Sequence, residues 1–346
     1  MRLAIHAIGR ILTGDLAEPV TAGDVITIND GLIESVGGSP SGAYDVEIDA
    51  RGATVAPGLI DSHVHVAFGD FTPRQNAVGY LASYVHGGVT TSISASEVHV
   101  PGRPDSRSGL VALAVAAHQS YERFRPGGMR VHGGSLILDP VLQDEDFAAA
   151  RAGGVWLVKA GFGAVTTPAD YVPLVADADY ERVIAESEIT LQLCTAGNLR
   201  TLLHVASQAV HRGELGRIIL GTDTPTGSGI MPLGLWYTIS QLASLAKIDP
   251  AVAVAWASGN TADVYGLETG RVQPGLAADV VLLDAPLGAA HADPLDALAN
   301  GDVPGIGAVI TDGMPRFVGR SRNSPPPSRQ PVVTLNELRH DFSTSH

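Results

Sequence analysis

Residues 57–66 read PGLIDSHVHV, and this stretch decides the fold. A Pro-Gly turn opens it and an apolar strand follows. Two histidines, His63 and His65, stand two residues apart near its end. Side chains two apart on a strand point to the same face. If this strand is the first of a parallel barrel, that face is the lumen, where two imidazoles can share one metal ion. The spacing alone is weak: 12 histidines in 346 residues give about 0.4 such pairs by chance, the false-positive risk of any short motif. Position adds weight, because the pair falls at the C-terminal end of its strand, where barrel active sites sit.

Downstream of Pro57, strands alternate with helices. Residues 74–86 have helical spacing, GVTTSISA (88–95) is a second strand and MRVHGGSLIL (129–138) a third. The helix EDFAAARAG (145–153) leads into a fourth strand, VWLVKAGFG (155–163). ITLQLCTAGN (189–198) and RIILGTD (217–223) are two more, separated by the helix LRTLLHVASQAVHRG (199–213). Such alternation predicts parallel βα units. Upstream, residues 1–57 are short strands punctuated by turns, a texture that returns over 265–331. The expected architecture is α/β: a (β/α) TIM-type barrel over 58–264, flanked by a small composite β-sandwich from 1–57 and 265–331. The Pro- and Ser-rich SRNSPPPSRQ (321–330) leads to an expected loosely held C-terminal tail, 332–346.

Composition narrows the function. With 45% hydrophobic and 17% charged residues the chain is globular rather than disordered. A net charge of −14 repels nucleic acid and anionic membrane, so the expected partner is a small molecule. No apolar run approaches a spanning helix, and the charged, alternating N-terminus reads as a strand and not as a signal peptide. The single cysteine, Cys194, excludes an internal disulfide and fits a cytoplasmic location. Its plainest role is as a small buried hydrophobe.

Other residues near strand ends carry possible chemistry. Lys159 lies on an apolar strand, where an amine is costly unless paired or neutralised. It is either an exposed strand-end lysine or one carboxylated by CO₂ to a metal-bridging carbamate. Asp223 ends RIILGTD before a Gly-, Pro- and Ser-rich loop. A carboxylate there can ligate metal and take a proton from water, although aspartate before a helix is also a common cap. Arg74 and His132 are candidate substrate contacts, the guanidinium suiting a substrate carboxylate. His86, His99, His204 and His211 read as surface or helix residues.

Taken together, PGLIDSHVH, GGVTT, Lys159, GTD and SGNTADVYGLETGRVQPGLAADVVLLD (258–284) resemble the amidohydrolase superfamily over nearly the whole chain. HGGVTTSISASEVHVPGRP (86–104), VHGG, GTDTPTGSGIMPLG (221–234) and SRNSPPP are similar to its enamidase branch, which opens a carboxylate-bearing cyclic amide in nicotinate degradation. The resemblance implies a divalent, binuclear centre of zinc and/or iron. His63, His65, a bridging Lys159 carbamate and Asp223 would be the ligands, with Asp223 also the general base for attack by metal-bound hydroxide on a cyclic C–N bond. It also implies a homo-oligomer, with a tetramer as the expected assembly. Hydrolases of the dihydroorotase, hydantoinase or imidazolonepropionase type are the alternative within the class.

One departure stands out. Only 64 residues separate Lys159 from Asp223, whereas four βα units of about 30 residues should lie between strands 4 and 8. The chain is short by about two units. No histidine occurs between His132 and His204, so the two that close strands 5 and 6 in the family are absent. Either this chain lacks a segment of the natural protein or the deletion is real. Opening a barrel exposes strand edges, which favours the first. A real deletion would leave a non-catalytic remnant.

Overall fold

The computed structural model describes the chain except residues 39, 41, 67–76, 97–101, 160–176, 226–228 and 337–346; for 77–79 and 177–179 it describes backbone alone. The N-terminal strands are β1 (Arg2–His6), β2 (Arg10–Leu12), β3 (Val20–Thr21), β4 (Ile26–Asn29), β5 (Leu32–Val36), β6 (Val46–Asp49) and β7 (Thr54–Pro57). The chain then enters alternating strands and helices: β8 (Leu59–Val64), α1 (Ala77–Val85), β9 (Val89–Ser94), α2 (Arg107–Arg123), β10 (Arg130–His132), β11 (Leu136–Ile137), α3 (Asp144–Ala152) and β12 (Val158–Lys159). These are followed by α4 (Asp177–Glu186), β13 (Leu191–Cys194), α5 (Leu199–His211), β14 (Ile218–Gly221), α6 (Gly234–Ala246), α7 (Pro250–Trp256) and α8 (Gly259–Tyr265). Last come β15 (Val280–Asp284), α9 (Pro294–Ala299), β16 (Gly305–Thr311), β17 (Met314–Val318) and β18 (Val332–Leu335).

In the middle of the chain every strand pairing is parallel. β8, β9 and β10 form one sheet, β11 pairs with β12, and β13 pairs with β14. The last of these strands returns to the first: Asp223 N donates to His63 O at 2.8 Å and His65 N to Thr224 O at 2.8 Å. The third sequence-predicted strand is split into β10 and β11 at Gly133-Gly134, where Gly134 takes φ +83°, a left-handed conformation that interrupts a ladder. Ser135 Oγ spans the break by donating to Ser94 O at 2.6 Å.

The outer strands form two sheets, in the orders β18-β6-β1-β4-β5 and β17-β16-β15-β7-β2-β3. Both draw on the two ends of the chain. All five residues of β15, VVLLD, are buried, and its alternation explains why. Val280 and Leu282 join Leu3, Ile5, Ile26 and Ile48 in the core between the sheets. Val281 and Leu283 join Trp236, Trp256 and Ile239 in the core on the barrel side. A strand covered on both faces reads as an unbroken apolar run.

The C-terminal segment corrects one expectation. Val332–Leu335, placed by sequence in a loose tail, pairs antiparallel with β6. Val and Thr favour extended backbone, and β6 offers an open edge. The Pro-rich stretch before it is anchored as well. Arg329 donates through Nε and Nη2 to both carboxylate oxygens of Asp284, at 2.8 and 2.5 Å, and Asp284 is fully buried. Arg329→Ala would strand a buried carboxylate, which typically costs 3–5 kcal/mol. The guanidinium is 42% exposed, so a loss of about 3 kcal/mol is expected in urea unfolding. A loss under about 0.5 kcal/mol would show that the anchor is unimportant.

Candidate metal centre

The ends of β8 and β14 bring three ligating groups together. Asp223 Oδ1 lies 2.9 Å from His65 Nε2 and 3.2 Å from His63 Nε2. These three atoms all fall within 4.8 Å of one another. The rings of His63 and His65 meet edge to face, with centroids 5.3 Å apart. The lysine expected at this mouth is also here, with Lys159 Nζ 3.4 Å from His63 Nε2. Burial pushes the Lys159 pKa down, toward the neutral amine that carbamate formation needs. Burial and the nearby Lys159 charge push His63 down to about 4. A neutral imidazole is the form that ligates metal.

Local backbone aims these groups. Asp223 sits at φ +56°, left-handed backbone that Asp tolerates better than most residues. Its neighbours hold it there. Thr222 donates from N and Oγ1 to the two oxygens of Asp61, at 2.9 and 2.7 Å. Thr224 Oγ1 lies 2.7 Å from Thr222 Oγ1 and bonds the hydroxyl of Tyr84. A buried chain therefore runs from Tyr84 through both threonines to Asp61, which is fully buried and whose pKa burial raises to about 7. Gly221 supplies clearance: a Cβ there would lie 2.8 Å from His63 Cβ, closer than such atoms approach, so a side chain would displace the histidine.

Among the sequence-predicted residues, His63, His65, Asp223 and Lys159 meet. His132 lies elsewhere. Its ring packs edge to face on Trp156, centroids 5.5 Å apart. It lines a cavity of about 760 Å³ together with Arg130, Asp30, Glu268 and Asp312, between β10 and the turns of the outer sheets. Arg74 and His99 fall outside the described residues. His204 and His211 lie on α5, and His86 stacks on Phe317 at 4.5 Å. Cys194 is half-buried, and burial raises its thiol pKa to about 12, as an inert thiol requires. Sequence reading passed over Gln192, which contacts His63, and Tyr84 and Thr222 behind Asp223. For Gln192 the available signal was a polar residue alternating with Leu191 and Leu193 on a short apolar strand.

The chemistry of this donor set, two imidazoles and a carboxylate converging on one point, fits a divalent ion such as zinc or iron. The amidohydrolase family model matches residues 141–316, just over half of the chain. Enamidase from Eubacterium barkeri is 39% identical over 377 aligned positions that cover 94% of this chain and 97% of that protein. The chain belongs to the amidohydrolase family. The crystal structure of enamidase superposes with a TM-score of 0.91 at 37% identity, covering 96% of this chain and 100% of that one. This carries the TIM-barrel type of that superfamily to the present fold. Adenine deaminase from Bacillus licheniformis is 27% identical across 75% of this chain, which spans about half (51%) of that relative's length. Divalent metals are general to the family, and no described helix is long and apolar enough to cross a membrane.

Proposed function

We propose that this protein hydrolyses the C–N bond of a small cyclic amide, in a metal-dependent reaction of the enamidase kind. The convergence of His63 Nε2, His65 Nε2 and Asp223 Oδ1 carries the reading. Those residues, with Lys159 as a possible carbamate bridge, would hold a divalent ion, zinc or iron. When bound, the ion supplies Lewis acidity and brings the pKa of water toward neutrality. Asp223, 35% exposed at the strand-end mouth, takes the proton from the attacking water and hands it to the departing ring nitrogen. The substrate carries a carboxylate in this reading, and Arg74 is its partner. His132 is kept as a second contact only for a substrate that reaches the cavity it lines.

We further propose the division into a composite β unit (1–57 and 265–331) and a barrel (58–264), with the barrel short of strands 5 and 6. One support is the enamidase alignment. Its 377 positions against 94% of 346 residues, about 325, leave about fifty positions with no counterpart here. Another is that, among the described residues, parallel pairing stops at β12 on one side and at β13 on the other. Tyr237 and Leu245 on α6, 44% and 60% exposed, favour burial in a homo-oligomer. The histidine-free stretch between His132 and His204 favours a second reading, a non-catalytic remnant.

The test is a panel of cyclic amides, with and without a ring carboxylate, assayed with zinc- or iron-loaded protein by mass spectrometry for addition of one water. Ring opening of a carboxylated six-membered lactam is expected. Turnover of five-membered imides or imidazolones alone would move the substrate to the alternative hydrolases, and no turnover by metal-loaded protein would support the remnant.

A further inference from the structure

Gln192 is placed where a metal-ligating histidine needs a partner. It lies on β13, alternating with Leu191 and Leu193, which pack outward into the helix-side core. Its Oε1 is 2.7 Å from His63 Nδ1. Its Nε2 is 3.0 Å from the carbonyl oxygen of Ser62 and 2.7 Å from Ser62 Oγ. Ser62 Oγ in turn donates to Leu220 O at 2.6 Å, so it accepts from the amide.

These contacts fix the orientation of the amide and the hydrogen on His63 Nδ1. A carbonyl oxygen only accepts, so the end of Gln192 facing Ser62 is its NH₂ group and the end facing His63 is its oxygen. That oxygen also only accepts, so His63 Nδ1 carries the hydrogen. In the neutral, metal-binding ring Nε2 then keeps its lone pair, and it is Nε2 that faces Asp223 and Lys159. The ring cannot flip without pairing a C–H with Gln192. Ser62 precedes His63 on β8, so the amide also ties the imidazole to its own strand.

We infer that Gln192 is a positioning residue that selects the Nδ1–H tautomer of His63 and holds its Nε2 toward the metal. The inference rests on the metal-centre reading above and deepens it. Partners of this kind commonly change metal affinity 10–100-fold when removed.

The experiment titrates the whole protein with Co²⁺ against a competing chelator, reading the visible absorption of the bound ion, for wild type, Gln192→Met and Gln192→Glu. Methionine keeps the length and removes both hydrogen-bonding ends; glutamate keeps an oxygen for His63 Nδ1–H, and its second oxygen accepts from Ser62 Oγ–H once that hydroxyl turns from Leu220 O. The expected result is a 10–100-fold weaker Kd with an altered spectrum for Gln192→Met. Gln192→Glu should stay within about threefold of wild type, well short of the change that loss of such a partner brings. Urea unfolding of each variant shows whether the fold is kept. Wild-type affinity in Gln192→Met, or equal loss in both variants, would overturn the inference. A wild type that takes up no Co²⁺ would overturn the metal-centre reading instead.

Discussion

Asp223→Asn should lose ring-opening activity while keeping its fold. General-base catalysis by a positioned side chain contributes typically 10²–10⁴-fold, and kcat is expected to fall by about that factor, with KM little changed. The substitution is chosen for what it preserves. Asparagine has the same shape and, like aspartate, is comfortable in left-handed backbone, so φ +56° at this position costs nothing new. The flanking bonds, Asp223 N to His63 O and His65 N to Thr224 O, use main chain and are untouched. Stability should therefore stay within about 0.5 kcal/mol of wild type, the usual range for a change that disturbs no packing. An amide oxygen still accepts from a protonated partner, but it takes no proton from water. Steady-state kinetics on metal-loaded protein, with metal content measured alongside, decides the matter. An unaffected rate at full metal occupancy would remove Asp223 as the base.

Much of this candidate site was legible in sequence because each candidate ligand stands at the end of a strongly patterned strand. PGLIDSHVHV and RIILGTD are apolar runs that end in a chemical residue, and two residues of spacing put His63 and His65 on one face. What sequence did not disclose was how those ends are supported. Gln192 contacts Ser62 and His63 from 130 and 129 positions away. Nothing local distinguishes it from a solvent-facing polar residue on a half-buried strand. The chain from Tyr84 to Asp61 joins residues from α1, β8 and the loop after β14, and no periodicity connects them.

The outer strands show the same limit. Residues 1–57 and 265–331 read as short strands between turns, and both outer sheets draw strands from the two ends of the chain. The pairing of Val332–Leu335 with β6 was not readable, because a four-residue strand becomes one only when a distant edge is available. Glycines divided the third strand for a comparable reason: VHGG signals a turn or a bulge equally well.

If the barrel is short of two βα units, as proposed above, supplying them should change both metal uptake and stability. The candidate ligand atoms, His63 Nε2, His65 Nε2 and Asp223 Oδ1, lie within 4.8 Å of one another, which in the proposed reading suits one ion, and a two-metal hydrolase needs a second set of donors. Grafting two βα units of an enamidase barrel between Lys159 and Leu191, where the proposed reading puts the shortfall, is expected to raise bound metal from about one ion per chain to about two, read by elemental analysis. Exposed apolar side chains flanking the proposed gap argue for a gain in stability as well. Val158 on β12 is 54% exposed, Ile189 before β13 is 56% exposed and Leu138 is 40% exposed. Covering three half-exposed aliphatic side chains contributes about 1 kcal/mol each. At roughly 2 °C or less per kcal/mol for a chain of this size, the melting temperature should rise by about 5 °C. An open parallel edge at the proposed gap would be an association hazard, so light scattering at high concentration should fall in the extended chain. Unchanged metal content with unchanged scattering would mean that this barrel closes by another route.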